Sequence, residues 1–215
     1  TLSTGTYVLV VYAEDLAGNV GMVSVSFSVD GDAPSIVYLG LNGLDNVTVI
    51  NETLEYIVVD FSEVAYGVYV YVDGACLMEN YTGSSLTIAS LSYGDGIYSL
   101  VVVALDAYGN RARHVLTIIV DTSPPYLAVY GLENNSVVNA SLTVKISASD
   151  NIELVSIEIY VNDVLYVVLD GPGYVDLSLN YSTKYIIRFV AYDIAGNRAY
   201  KTYIVTTTSP PTPTT

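Results

Sequence analysis

Ala104-Leu105-Asp106-Ala107-Tyr108-Gly109-Asn110 has a near-copy on either side, Ala13-Glu14-Asp15-Leu16-Ala17-Gly18-Asn19 before it and Ala191-Tyr192-Asp193-Ile194-Ala195-Gly196-Asn197 after it. A tyrosine stands eight residues ahead of each Asp, at Tyr7, Tyr98 and Tyr185, and the three Asp lie 91 and then 87 residues apart. Self-similarity at a fixed period marks tandem copies of one structural unit. The second copy reads as strands at 35–39, 53–59, 64–72, 85–88, 96–105 and 111–120. The third reads as strands at 126–130, 142–148, 154–161, 174–179, 184–192 and 198–205. These segments alternate or run apolar, are rich in β-branched residues and tyrosine, and are parted by turn signals such as Asp73-Gly74 and Gly94-Asp95-Gly96. About seven short strands per copy predict an all-β chain of tandem antiparallel sandwiches.

Outward from the repeat, the expected boundaries are 33–121 and 122–207 for two full copies. Residues 1–32 hold the last two strands of an earlier copy and a linker. Residues 208–215, Thr208-Ser209-Pro210-Pro211-Thr212-Pro213-Thr214-Thr215, read as a Thr/Pro stalk that buries no core. Pro34, Pro124 and Pro125 stiffen the junctions. The opening hairpin has two readings: the chain is cut from a longer repeat protein, or the hairpin exchanges strands with a neighbouring subunit.

Composition narrows the function. Of 215 residues, 22 are Asp or Glu against 7 Lys or Arg, for a net charge of −15. That balance excludes a phosphate-binding footprint, so no nucleic-acid partner is expected. No apolar run approaches the roughly 20 residues of a spanning helix, so no membrane span is expected in this segment. A single Cys76 excludes an internal disulfide, and Cys76 itself reads as a small buried residue. One His114, on the last strand of its copy, leaves no repeated catalytic triad and reads as solvent-facing. No enzyme activity is expected.

Gly96-Ile97-Tyr98-Ser99-Leu100 resembles the tyrosine-corner stretch of immunoglobulin-like domains, with Leu100 where antibody domains carry their second Cys. Gly5-Thr6-Tyr7-Val8-Leu9 matches it, and Thr183-Lys184-Tyr185-Ile186-Ile187 departs from it by lacking the Gly. With Val29-Asp30-Gly31-Asp32-Ala33-Pro34 and Val120-Asp121-Thr122-Ser123-Pro124-Pro125, the turns are similar to Ig-like repeats of prokaryotic surface proteins: adhesins, archaeal S-layer-type proteins and the stalks of secreted enzymes. The resemblance implies an extracellular, cell-surface setting. It also implies a non-catalytic spacer, stalk or lattice element whose partners are neighbouring Ig-like domains. Two alternatives stand beside it: an adhesin or filament subunit that meets like subunits, and a carbohydrate-binding accessory region that meets surface glycans.

Candidate site residues follow from the expected topology, which gathers acids at one pole of each sandwich. For the second copy these are Asp30, Asp32, Asp60, Glu63 and Asp106; for the third, Asp121, Asp150 and Asp193. Asp-x-x-Gly-Asn makes a good turn unaided. Converging carboxylates also suit Ca²⁺, which takes six to eight oxygens. No cofactor is required, and Ca²⁺ at the domain junctions is the ion this pattern accommodates. Eleven residues past the motif Asn stand Asp30 and Asp121, but Thr208 after the last copy. Six Asn-x-Ser/Thr sequons, at Asn46, Asn51, Asn80, Asn134, Asn139 and Asn180, exceed the roughly two that composition alone would place. In Tyr66–Val72, period two puts Val68, Val70 and Val72 on one face and Tyr69 and Tyr71 on the other, as strand chemistry or a sugar platform.

Overall fold

The computed structural model describes residues 1–211; positions 212–215 of the Thr/Pro segment lie outside the described residues. Among the described residues the regular structure is all β. The strands are β1 (Gly5–Glu14), β2 (Val20–Val29), β3 (Ile36–Leu41), β4 (Leu44–Asp45), β5 (Val49–Ile50), β6 (Ile57–Val72), β7 (Ala75–Ile88), β8 (Gly96–Leu105) and β9 (Arg111–Val120). They continue as β10 (Tyr126–Tyr130), β11 (Ser136–Val138), β12 (Ser141–Ser149), β13 (Leu154–Val161), β14 (Val164–Leu169), β15 (Gly173–Ser178), β16 (Lys184–Asp193) and β17 (Arg198–Thr207). Two compact units emerge. One comprises Thr1–Asn46, Tyr56–Ser90 and Ser99–Thr117, the other Val47–Glu55, Leu91–Tyr98 and Ile118–Thr215.

In the first unit β1 and β2 form a two-stranded antiparallel sheet, in register from Gly5↔Val29 to Glu14↔Val20. Its larger sheet runs β4-β3-β6-β8-β9, with β7 also on β6. Its organiser is β6, which pairs β3 over its first residues and β8 over its last. As the alternation of Tyr66–Val72 requires, Val68, Val70 and Val72 are buried and pack with Leu100 and Val102, all at 1% exposure or less. Full burial of each such side chain stabilises by about 1.5–3 kcal/mol.

The second unit is a two-layer sandwich, a sheet β10-β12-β15 and a sheet β11-β17-β16-β13-β14. Inward residues of both layers, among them Val144, Ile146, Ile157, Ile159, Leu177, Ile187 and Phe189, form one core. Asn162 and Asp163, both at positive φ (49° and 63°), make the tight turn between β13 and β14.

Several details differ from the sequence reading. The expected gap at 60–63 is absent, because buried Phe61 keeps the strand alternation and Asp60 pairs with Tyr38 and Ser85. β7 begins at Ala75, ten residues earlier than expected, and Cys76 on it is exposed rather than buried. Its Sγ–H donates to the Met78 carbonyl at 3.3 Å. The first strand of each full repeat is split. β3 pairs antiparallel with β6 and β10 antiparallel with β12, while β5 and β11 run parallel to the last strands β9 and β17.

The β1–β2 hairpin shows what its siblings bury. Leu9 and Val11 are 53% and 51% exposed, whereas Leu100 and Val102, and Ile187 and Phe189, hold the same places after the tyrosine and are at most 1% exposed.

Candidate metal centre

The three motif turns are one structure. In each, the Asp N–H donates to the Asn carbonyl four residues on, and the Gly N–H donates back to the Asp carbonyl. The glycines sit at φ 84°, 88° and 83°, the left-handed region where a side chain is disfavoured. One Asp oxygen accepts two backbone N–H groups: Ala17 and Asn19 on Asp15, Tyr108 and Asn110 on Asp106, Ala195 and Asn197 on Asp193. This is the self-sufficient turn expected of the motif.

The other oxygen separates the copies. Asn19 Nδ2 donates to Asp15 Oδ2 at 2.8 Å, and Asn110 Nδ2 donates to Asp106 Oδ2 at 2.6 Å. Asn110 Nδ2 also reaches the Asp30 carbonyl at 3.0 Å. Asn197 Nδ2 instead donates to the Asp121 carbonyl at 2.7 Å, and Asp193 Oδ2 is buried without a partner. The linker Asp thus meets the motif Asn through its backbone in both full repeats.

Asp193 Oδ2 is not alone. Asp121, which follows β9, and Asp150, which follows β12, each leave one buried oxygen unpartnered, Oδ2 and Oδ1 respectively. Their second oxygens are occupied. Asp121 Oδ1 accepts the Ser123 N–H at 3.3 Å, and Asp150 Oδ2 accepts Ile152 N–H at 2.8 Å and Glu153 N–H at 3.3 Å. One ligand oxygen from each of the three lies within 4.8 Å of the other two. Asp121 is 0% and Asp193 4% exposed.

Three carboxylates gathered this closely repel, and the one oxygen that each leaves unpartnered is answered by nothing polar on the protein. Burial first, then the neighbouring charges of Asp150, Asp193 and Asp95, push the Asp121 carboxyl above the ordinary carboxylate range, against the pull of the Ser123 N–H. A cation would answer all three, and a carboxylate-only donor set suits a hard, oxygen-seeking ion. Oxygens around Ca²⁺ at 2.3–2.6 Å are at most about 4.6–5.2 Å apart, and those around Mg²⁺ at 2.0–2.1 Å at most about 4.2 Å. Oxygens within 4.8 Å of one another are close enough to share one Ca²⁺.

Among the described residues this is the one cluster of three metal-ligating side chains. Asp30, Asp32, Asp60, Glu63 and Asp106 do not assemble a counterpart. Asp60 and Glu63 lie inside the continuous β6, Glu63 exposed, so they are not carried on a loop toward Asp106. At Asp106 the carboxyl is held below its usual range. Burial pushes it up, but the Asn110 amide and the backbone N–H groups of Asn110, Tyr108 and Gly109 outweigh that.

Asp95 escaped the sequence reading. Flanked by Gly94 and Gly96, it passes for a turn residue, yet it grips the linker. Its carboxylate accepts Thr122 N–H at 2.7 Å, Thr122 Oγ1–H at 2.8 Å, Ser123 Oγ–H at 2.6 Å and Asn151 Nδ2–H at 3.2 Å. Those bonds, the Ser123 hydroxyl foremost, hold it below the usual carboxylate range. The sequence offers only an acid between two glycines beside the tyrosine corner, and no spacing ties it to the linker.

The corner itself forms as the motif implies. Tyr7 and Tyr98 hydroxyls donate to the Ser3 and Gly94 carbonyls at 2.8 and 3.0 Å. A Cβ on Gly96 would stand 2.9 Å from the Tyr98 hydroxyl, so Gly makes room for the ring. Where Thr183 replaces that Gly, the Tyr185 hydroxyl instead accepts the Asn180 N–H at 3.0 Å. All six sequon asparagines, Asn46, Asn51, Asn80, Asn134, Asn139 and Asn180, are exposed, as is His114. Tyr69 and Tyr71 are half-buried, and Tyr69 donates to Asn80 Oδ1 at 2.7 Å.

Comparison with known proteins bears on the fold. A family model described as bacterial Ig-like domain (group 3) matches residues 85–163. An uncharacterised 81.3 kDa protein of Acholeplasma phage L2 is 32% identical over 139 residues, 62% of this chain; the chain spans 17% of that relative's length. Among solved structures, Sidekick-1 immunoglobulin domains 1–5 superimpose with a TM-score of 0.51 at 16% identity, over 95% of this chain and 46% of that one. Fibronectin(III)-like modules of CbhA from Clostridium thermocellum give a TM-score of 0.47 at 14% identity, over 80% of this chain and 94% of that one. At such identities the Sidekick-1 likeness speaks to fold alone. No helix among the described residues is long and apolar enough to cross a membrane. The chain is all-β with an immunoglobulin-like fold, and residues 85–163 match the bacterial Ig-like group.

Proposed function

We propose that the chain is a non-catalytic structural segment of an extracellular surface protein, a spacer or stalk whose inter-repeat linker is pinned by Ca²⁺. The observation that carries this reading is the trio Asp121, Asp150 and Asp193, whose carboxylates cluster within 4.8 Å and each leave one buried oxygen unanswered by the protein. Asp121 begins the segment 121–125 that leads from β9 into β10. A cation held there would tie that segment to the loop after β12 and to the turn after β16. Asp95 clamps the same segment through Thr122 and Ser123 without any metal. A linker gripped twice suits a load-bearing spacer better than a flexible tether. Exposed sequons and the strongly acidic surface suit an extracellular setting, with glycans covering sheet edges.

The filament reading draws on one observation, the open apolar face of the β1–β2 hairpin. Sedimentation across a range of concentrations separates the two. The spacer remains monomeric, and strand exchange produces polymers that lengthen with concentration. Calcium-dependent resistance of the 121–125 peptide bonds to a broad protease tests the pinned linker; equal cleavage in calcium and in chelator would refute it.

A further inference from the structure

The outer face of β13, β16 and β17 carries a cleft of about 590 Å³, within the range of roughly 300–1,000 Å³ typical of small-ligand sites. Its floor is Val190, 7% exposed, and its walls are Tyr160, Arg188, Tyr192, Arg198 and Tyr200. Strand register explains the grouping. Tyr160 lies opposite Arg188, Tyr192 opposite Arg198 and Val190 opposite Tyr200, so alternate residues of three neighbouring strands share one face.

Two of the chain's seven cationic side chains therefore line one cleft of a protein with net charge −15. Arg188 is preorganised. Its guanidinium lies over the Tyr160 ring at 5.0 Å, and Nη2 pairs with Asp163 Oδ1 at 3.3 Å. The Tyr160 hydroxyl is itself fixed by donating to Glu158 Oε2 at 2.5 Å. Arg188 Nε, however, is buried and has no hydrogen-bond acceptor. Arg198 makes no hydrogen bond or ion pair among the described residues. An unanswered N–H and an unpaired guanidinium lining one cleft call for an anionic oxygen ligand, and a carboxylate matches a guanidinium fork. Tyr200, 68% exposed, and Tyr192 offer ring faces next to it, suited to the C–H face of a pyranose.

We propose that this cleft binds a saccharide bearing a carboxylate, a uronic-acid unit of an acidic glycan. The carboxylate sits between Arg188 and Arg198, and the sugar ring rests on Tyr192 and Tyr200. The other repeat holds a natural control. Tyr71, Val103 and Arg111 occupy the register positions of Tyr160, Val190 and Arg198 beside a smaller cleft of about 270 Å³. Val101 stands there in place of Arg188, so that cleft lacks the central cation.

The test is an NMR titration of the whole chain with tetragalacturonate, its methyl ester and a tetraglutamate peptide, in chelator so that calcium bridges nothing. The expected result is saturable binding of tetragalacturonate, with shifts centred on Tyr192 and Tyr200. The ester and the peptide should each bind about tenfold more weakly. Arg188→Gln and Arg198→Gln should each weaken binding by about tenfold, and Arg111→Gln should leave it unchanged. Should Arg188→Gln disturb the fold, the solvent-exposed Arg198→Gln decides. No binding at about 10 mM sugar, equal binding of the peptide, or indifference to Arg198→Gln overturns the proposal.

Discussion

The turn at Asp106 and the turn at Asp193 share a sequence pattern, a backbone hydrogen-bond scheme and a glycine conformation, yet one is chemically closed and the other open. At Asp106 the Asn110 amide satisfies the second carboxylate oxygen. At Asp193 the Asn197 amide is engaged by the Asp121 carbonyl alone, one carboxylate oxygen stays unpartnered, and the carboxylate clusters with two others. The difference originates elsewhere in the repeat. In the third repeat the chain breaks between β12 and β13, and Asp150 caps that break by accepting Ile152 and Glu153 N–H groups. In the second repeat β6 runs unbroken through Asp60–Glu63, and Ser62 N–H bonds the Ser35 carbonyl instead. The motif alone makes a turn. A motif plus a strand break that delivers another acid gathers the carboxylates that a metal centre would need.

The largest effect expected separates complete repeats from the opening hairpin. Phe189→Ala empties a fully buried core position and should cost about 3–5 kcal/mol. Val11→Ala, at the matching place on the hairpin, should stay within about 0.5 kcal/mol because its side chain is already half in water. Chemical denaturation of the two variants, followed through the amide signals of β16 and β1, checks the pair.

Next in size is calcium itself. With a Kd near the ~10⁻⁴ M typical of extracellular modules, calcium at a hundredfold excess over Kd stabilises by about 2.7 kcal/mol. Asp193→Ala or Asp150→Ala should erase the gain, and Asp106→Ala should preserve it while loosening its own turn. Calorimetric melts with and without calcium read this directly; an undiminished gain in Asp193→Ala would break the comparison.

A smaller loss, about 1 kcal/mol once exposure is allowed for, is expected for Asp95→Ala, which releases Thr122 and Ser123. Hydrogen exchange at Thr122 and Ser123 should quicken.

Acidity sharpens the contrast last. The folded Asp121 carboxyl titrates above its unfolded value, so without calcium its contribution to stability is fully present below about pH 3.9 and is lost as pH rises through the folded value. Asp106 and Asp95, both lowered, contribute in the opposite sense; their share is present above about pH 4 and is lost as pH falls through their folded values. Calcium-free melts resolved by unit should therefore show Asp121→Asn removing part of the loss between acidic and neutral pH in the second unit.

Much of this was readable from residues alone. The three turns, the corner tyrosines and the alternation that buries Val68, Val70 and Val72 are local patterns with fixed chemical causes. The trio at the third repeat was legible as well, because Asp121, Asp150 and Asp193 fall where a sandwich brings its loops together. Its supposed twin was not separable by pattern. Asp60-Phe61-Ser62-Glu63 looks as polar as Asp150-Asn151-Ile152-Glu153, and only the burial of Phe61 and the pairing of Asp60 with β3 and β7 keep it in a strand. Asp95 depended on a tertiary contact with Ser123 and Asn151 that no spacing encodes. The strand Val164–Leu169 was hidden because its turn, Asn162-Asp163, lacks the Gly that usually announces a hairpin.

The most direct test is a calorimetric titration of the chelator-treated chain with Ca²⁺. One ion per chain, abolished by Asp193→Ala and retained by Asp106→Ala, is the expected outcome. No binding, or two ions per chain, would contradict the division between an open turn and a closed one.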